Sequence, residues 1–486
     1  MVLLLLALAH PAFSATNLPV LRAALTAHLA QERFAAAAWG VKIVSLDSGE
    51  TIFEQDSHKL LKPASNAKLF TAALALDRFG PEHRIKTSLY SATRPDKSGT
   101  LRDDLIVYGR GDPSFAERFN GGSYSNILKP VVDAIAAAGI KQIKGDLIGD
   151  ESYFRGPPFG TEWTWDDLQQ YYGAESSALT VQDNVVDLVI KPGPRVGAPC
   201  EIITLPATSY LTFSNRTVTV EADSRRRVSI YRPVGENVVH VSGWMPLGGS
   251  NLVDAVSVHR PALWFVTLLK EALARRGIRV TGQVRAVDWL ERQVEPLNFD
   301  AFVELGSIAS TPLRTILAKM MKPSQNLYAH LLLLQVGSNW RTPPLPEQTT
   351  EETGLSEMNA FLKKAGIREG EALLEEGSGL SRGALVTPNA IVALLQFMRR
   401  HEHFETFLAS LPVAGVDGTL RSRLKETAAA GNARAKTGTL RYVNTISGYL
   451  TNRSGENLAF SIMLNNYNGD DARPALDKIV VLLAEE

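Results

Sequence analysis

The chain has 486 residues, too many for one compact core, and its 45% hydrophobic and 21% charged content is that of ordinary globular domains, two or three of them. Its 51 Lys plus Arg balance 51 Asp plus Glu, so no global field draws it to nucleic acid or to an anionic membrane. A single cysteine, Cys200, excludes an intramolecular disulfide framework and a Cys-based zinc site within the chain, leaving oxygen and nitrogen groups for any chemistry.

The first residues, MVLLLLALAHPAFSA, join a short apolar run to small residues, with Ala12 and Ser14 placed for cleavage before Ala15. Residues 1–14 therefore read as an export signal, although the usual positive start is missing. From Thr16 to about Ala37 the stripe Leu18, Leu21, Leu25 and Leu29 predicts a helix. Strands follow over Trp39 to Leu46 and Glu50 to Gln55, joined by Asp47, Ser48 and Gly49. Far away, Tyr442 to Leu450 and Leu458 to Asn465 alternate as strands, and Asp471 to Glu486 closes the chain as a helix. The two chain ends thus predict one domain, an antiparallel sheet with helices packed on it. Between them lie many short strand-like runs, among them Thr87 to Tyr90, Asp104 to Tyr108, Val185 to Ile190 and Val238 to Ser242, with helical stretches at Ser125 to Ala138 and Ala262 to Arg276. That texture predicts largely β insertions. Arg341 to Thr350, rich in Pro and polar residues, reads as a surface loop.

Three motifs carry chemistry. In Pro63 to Gly80 a helix starts near Ser65 and places Lys68 three residues on. A serine hydroxyl needs a neighbour to take its proton, and a buried lysine can be neutral enough to do so. In Met321 to Leu334, Ser324 and Asn326 sit at a second helix start, a hydroxyl and an amide able to relay a proton and hold a carbonyl. In Ala435 to Leu440, Lys436 supplies a cation and Thr437 a hydroxyl, while Gly438 permits close backbone approach and Thr439 offers an N–H. Taken singly, each has a plain alternative: an N-cap serine, a capping pair, a strand-entry turn. Their order and context match the Ser-x-x-Lys, Ser-x-Asn and Lys-Thr-Gly set of serine penicillin-recognising enzymes.

With the long insert between Ser65 and Ser324, and with the segments YGRGDPSF (Tyr108 to Phe115), GDLIGDESYF (Gly145 to Phe154), WTWDDLQQYYGAESSALTVQDN (Trp163 to Asn184), EGSGLSR (Glu376 to Arg382) and LPVAGVDGTL (Leu411 to Leu420), the sequence resembles the class C low-molecular-mass penicillin-binding proteins, the D-alanyl-D-alanine carboxypeptidase/endopeptidase family. The resemblance implies an α/β (α+β) fold: a serine β-lactamase/transpeptidase-like domain, antiparallel sheet flanked by helices, from residues 15–86 and 296–486. It also implies two inserted, largely β domains, the second from 87–188 and 256–295 and the third from 189–255.

It further implies a nucleophile at Ser65 with Lys68 as base, a proton path through Ser324 and Lys436, peptide orientation by Asn326, a carboxylate held by Lys436 and Thr437, and oxyanion N–H groups of Ser65 and Thr439. Asp167, Tyr172 and Arg382 map onto the residues that grip the far tip of the stem peptide. The implied partners are peptidoglycan stem peptides and β-lactam inhibitors, with no cofactor or metal, no nucleic acid, at most peripheral membrane contact, and a periplasmic or cell-wall location. A β-lactamase or esterase on the same scaffold, or a non-catalytic wall-binding protein, are the competing readings. Two residues depart from the family pattern: Glu376, where Asp is usual, and Arg441, where smaller or neutral residues are common. His401 and His403, two apart, do not share a helix face as a metal pair would. Arg225 to Arg227 reads as a solvated basic turn.

Overall fold

A computed structural model describes residues 18–340, 348–469 and 471–486. The proposed signal, 1–14, and Arg341 to Glu347 of the proline-rich loop lie outside the described residues. The rest of that loop leads into a helix: Thr349 caps Thr350–Lys364 reciprocally with Glu352.

The two chain ends do build one sheet. Its five antiparallel strands run in the order Arg434–Leu440, Val443–Thr451, Asn457–Asn465, Ala38–Ser45, Thr51–Gln55. Register pairs Val41 with Ile462 and Gly40 with Met463, so alternate residues of strands far apart in sequence face the same layer. Trp39, Val41, Ile43, Ile446 and Ile462 pack under the terminal helices Leu18–Leu29 and Arg473–Glu485. Val44, Tyr449, Ala459 and Met463 face a larger helical layer, in which Ala67–Phe79 and Asn326–Trp340 are almost wholly buried. The sheet is thus covered on both sides, and Val443–Thr451 is buried at every residue but its last.

The first helix is shorter than the expected span of Thr16 to about Ala37, ending with the last leucine of its stripe. It stops at Leu29, because Gln31 turns extended (φ −60°, ψ 135°) and Phe34 folds back edge-on against Trp39, ring centres 5.1 Å apart. The long middle of the chain holds a mixed five-stranded sheet in the order Val284–Val287, Leu147–Asp150, Leu105–Tyr108, Lys86–Ser91, Val303–Ala309. This sheet contains parallel pairs, and the two helical stretches expected there form as Lys129–Ala137 and Pro261–Arg275, packed against it. Three three-stranded sheets, one containing the parallel pair Thr212–Val220 and Val238–Pro246, complete the insert. Cys200 is buried there as a free thiol. No helix among the described residues is long and apolar enough to cross a membrane.

Candidate active site

Ser65 sits in a 3-10 turn, Ala64–Asn66, and the α-helix proper begins only at Ala67, where the sequence predicts continuous helix from Pro63. Ala64 has φ 47°, a left-handed value that strains a non-glycine residue by about 1 kcal/mol or more. The tighter winding eclipses residues three apart, bringing Lys68 onto Ser65. The Ser65 hydroxyl makes no cap: Lys68 Nζ lies 2.8 Å from Ser65 Oγ.

Lys68 is fully buried. Its Nζ also lies 2.6 Å from Asn326 Oδ1 and 2.8 Å from the Ser378 carbonyl. Loss of water disfavours the ammonium and brings its pKa from 10.5 down to about 7, against an opposing pull from the Glu376 carboxylate. A neutral amine has two N–H groups and one lone pair. With the N–H groups on Asn326 and Ser378, the lone pair is left for the Ser65 hydroxyl proton.

Ser324 lies in a turn between Leu313–Met321 and Asn326–Trp340, with φ 68°, rather than capping the second helix. Gln325 takes the capping role, its Oε1 accepting from Leu327 N at 3.1 Å. Ser324 Oγ is thereby free to accept from Lys436 Nζ at 2.8 Å, a lysine that also donates to the Thr437 carbonyl at 2.7 Å. Lys436 is fully buried, and burial, reinforced by repulsion from Lys68, holds its pKa well below the usual lysine value. Asn326 turns its amide N–H onto the Tyr172 carbonyl at 2.9 Å.

Strand Arg434–Leu440 is the sheet edge. Ala435 N donates away from the sheet, to Pro412 O at 3.0 Å, and backbone groups two residues apart point the same way. The N–H groups of Thr437 and Thr439 therefore leave the free edge. A Cβ at Gly438 would stand 2.3 Å from Thr445 Oγ1, 2.8 Å from the Pro63 carbonyl and 2.9 Å from Ser65 N, so only glycine lets this edge pass against the Ser65 turn. Thr437 Oγ1 donates to Thr419 Oγ1 at 2.7 Å. Thr419 belongs to the quoted GVDGTL segment, yet spacing gave it no role.

Asp167, Tyr172 and Arg382 also converge. Asp167 is 3% exposed, accepts from Thr164 Oγ1 at 2.6 Å and lies 3.5 Å from the Arg382 guanidinium. Burial and the Asp167 charge push the Tyr172 hydroxyl up to about 12. Since Tyr172 O holds Asn326, this cluster is tied to the lysine–serine centre. Sequence reasoning missed the Ser378 carbonyl and the anchoring of its loop, because backbone acceptors leave no residue-type signature. His401 pairs with Asp77 at 3.2 Å, and no cluster of three or more His, Cys, Asp or Glu among the described residues could hold a metal ion.

The fold of both sheet and inserts is that of the penicillin-binding serine enzymes. It superposes on the crystal structure of penicillin binding protein 4 from Haemophilus influenzae with a TM-score of 0.80 and 25% identity, covering 94% of this chain and 97% of that one. A second structure of that protein, complexed with a novel β-lactam, gives 0.73 at 24% identity, over 95% and 97%. A D-alanyl-D-alanine carboxypeptidase of Actinomadura sp. is 34% identical over 487 residues, spanning 97% of this chain and 86% of the relative. Residues 21–486 match the D-Ala-D-Ala carboxypeptidase 3 (S13) family, and the chain belongs to that family of serine peptidases.

Proposed function

We propose that this protein hydrolyses peptidoglycan stem peptides as a D-Ala-D-Ala carboxypeptidase, with DD-endopeptidase action on crosslinks, through an acyl-enzyme on Ser65. The observation that carries the reading is Lys68: fully buried, 2.8 Å from Ser65 Oγ, with a pKa of about 7. Lys68 takes the hydroxyl proton as Ser65 Oγ attacks the carbonyl of the penultimate D-Ala. The charge that develops on that oxygen meets the N–H of Ser65, free at the start of its turn, and of Thr439 on the sheet edge. As the C–N bond breaks, Lys436 and Ser324 pass a proton to the departing amine, while Thr437 and Lys436 hold its carboxylate. Asn326 orients the peptide. Water then cleaves the ester, returning Ser65.

At the far end Asp167 and Arg382, paired with each other here, open to an ammonium and a carboxylate on the stem-peptide tip, beside Tyr172. The opened ring of a β-lactam stays bonded to the acyl group, blocks the water and traps the same serine. In keeping with this function the chain is exported to the periplasm or cell wall. It divides into a peptidase domain (15–86 and 296–486), a second domain (87–188 and 256–295) and a third (189–255). Release of D-Ala from a pentapeptide, measured beside nitrocefin turnover, tests the reading: stoichiometric trapping of nitrocefin with D-Ala release supports it. Rapid nitrocefin turnover with no D-Ala released assigns the scaffold to β-lactam hydrolysis instead.

A further inference from the structure

Behind Lys68 lies a buried acidic arrangement that the scheme above does not use. Glu376 is 2% exposed, and its carboxylate gathers four backbone N–H groups of the loop that follows. Ser378 donates to Oε2 at 2.6 Å; Gly379, Leu380 and Ser381 donate to Oε1 at 2.5, 2.9 and 3.4 Å. Converging backbone donors of this kind make a cradle for an anion. The loop is clamped from both sides. A Cβ at Gly377 would come within 2.5 Å of the Ala329 carbonyl, and one at Gly379, where φ is 80°, within 1.9 Å of the Ala64 carbonyl beside Ser65. Thr71 Oγ1 donates to the Gly377 carbonyl at 2.7 Å.

Both ends of this loop enter the site. Ser378 O receives Lys68 Nζ, and Arg382 stands beside Asp167. The charged and titratable groups around the centre come from every packed element. Lys68 is faced by Glu376 from the loop and by Lys436 from the edge strand. On its other side Glu376 is faced by His330, whose Nδ1 is 3.8 Å from Oε2, on the helix that begins with Asn326. His330 Nε2 in turn lies 3.5 Å from Glu351 on Thr350–Lys364, whose carboxyl burial pushes up.

We propose that Glu376 is a positioning residue for this reaction: its carboxylate ties the loop that sets the Ser378 carbonyl on Lys68 and Arg382 beside Asp167, and it supplies a counter-charge to that lysine. The proposal rests on acylation of Ser65 by the scheme above. A group that only braces the loop changes how fast the enzyme works, whereas a counter-charge also changes the pH at which Lys68 becomes a base. Taking Glu376 away removes a pull toward the ammonium, so Lys68 loses its proton at lower pH.

The test is the first-order rate of labelling by a fluorescent penicillin as a function of pH, in wild type, Glu376→Gln and Glu376→Asp. A rate constant counts only molecules that react, so partial misfolding does not distort it. Labelling of wild type should rise through a limb near neutral pH. In Glu376→Gln that limb should move down by about one pH unit, with a smaller downward move in Glu376→Asp, whose carboxylate is withdrawn by one methylene. The maximal rate should fall in both, by roughly tenfold or more in Glu376→Gln. A limb that stays in place in the variants that label overturns the proposal while leaving acylation at Ser65 intact. So does failure of both variants to fold, which would make Glu376 purely structural. Absence of labelling in wild type at any pH overturns the underlying reading instead.

Discussion

Replacing Lys68 by methionine separates the cost of burying a catalytic amine from its use. The lysine falls from a pKa of 10.5 to about 7 on folding, so between those values the unfolded chain binds a proton that the folded protein does not. Stability contributed through this group therefore rises with pH across that window, and below about pH 7 the fold carries the full cost of a buried ammonium. Each unit is worth about 1.4 kcal/mol. Over the interval from about pH 7.5 to about pH 9.5, wild type should gain about 2.5 kcal/mol relative to Lys68→Met. The acceptors left open by methionine, Asn326 Oδ1 and Ser378 O, shift the variant by an amount that does not vary with pH and drops out of the comparison. Lys68 is largely neutral in the folded protein over this interval, so its repulsion of Lys436, which titrates in both proteins, adds little to the difference. Urea unfolding of the two proteins at both pH values reads the difference, and penicillin labelling of the variant should be lost. Parallel stability profiles would refute the argument, because they would mean that Lys68 is an ordinary charged lysine in the folded state.

Gly438→Ala places a methyl group against Thr445, Pro63 and the Ser65 N–H; the edge strand must move, and penicillin acylation should slow by roughly 100-fold at a stability cost of about 1–3 kcal/mol, read by labelling rate and thermal melting. Arg382→Leu, with Asp167→Asn as its companion, should lower kcat/KM on a stem peptide bearing a zwitterionic tip by about 10- to 100-fold. The same variants should leave labelling by a penicillin that lacks such a tip within a few-fold of wild type, so an equal loss on both substrates would remove the tip-binding role.

The large architecture was legible because hydrophobic alternation and capping are local signals. Strands at Trp39 and Tyr449 carry that alternation, and the two chain ends pair as it implies. The three motifs were legible for another reason: their residue types are the chemistry itself. What the sequence left hidden is conformational. No propensity tells that Ala64 and Ser324 take positive φ, which frees two serine hydroxyls from helix capping and turns them toward lysines. Nor does one tell that Gln325 replaces Ser324 as the cap. In the insert, parallel pairing between strands distant in sequence leaves no short-range trace, whereas the two helices on the mixed sheet fall where the helical stretches at Ser125 to Ala138 and Ala262 to Arg276 predict them. Glu376 was visible only as a departure from Asp; its four backbone donors exist only once the loop is folded.

The claim on which everything else depends is that Ser65, activated by Lys68, is the nucleophile. Peptide-level mass spectrometry of the protein after brief exposure to benzylpenicillin tests it most directly. One stoichiometric penicilloyl adduct is expected on the peptide containing Ser65, absent from Ser65→Ala. An adduct on another residue, or an unmodified wild-type protein, would contradict it.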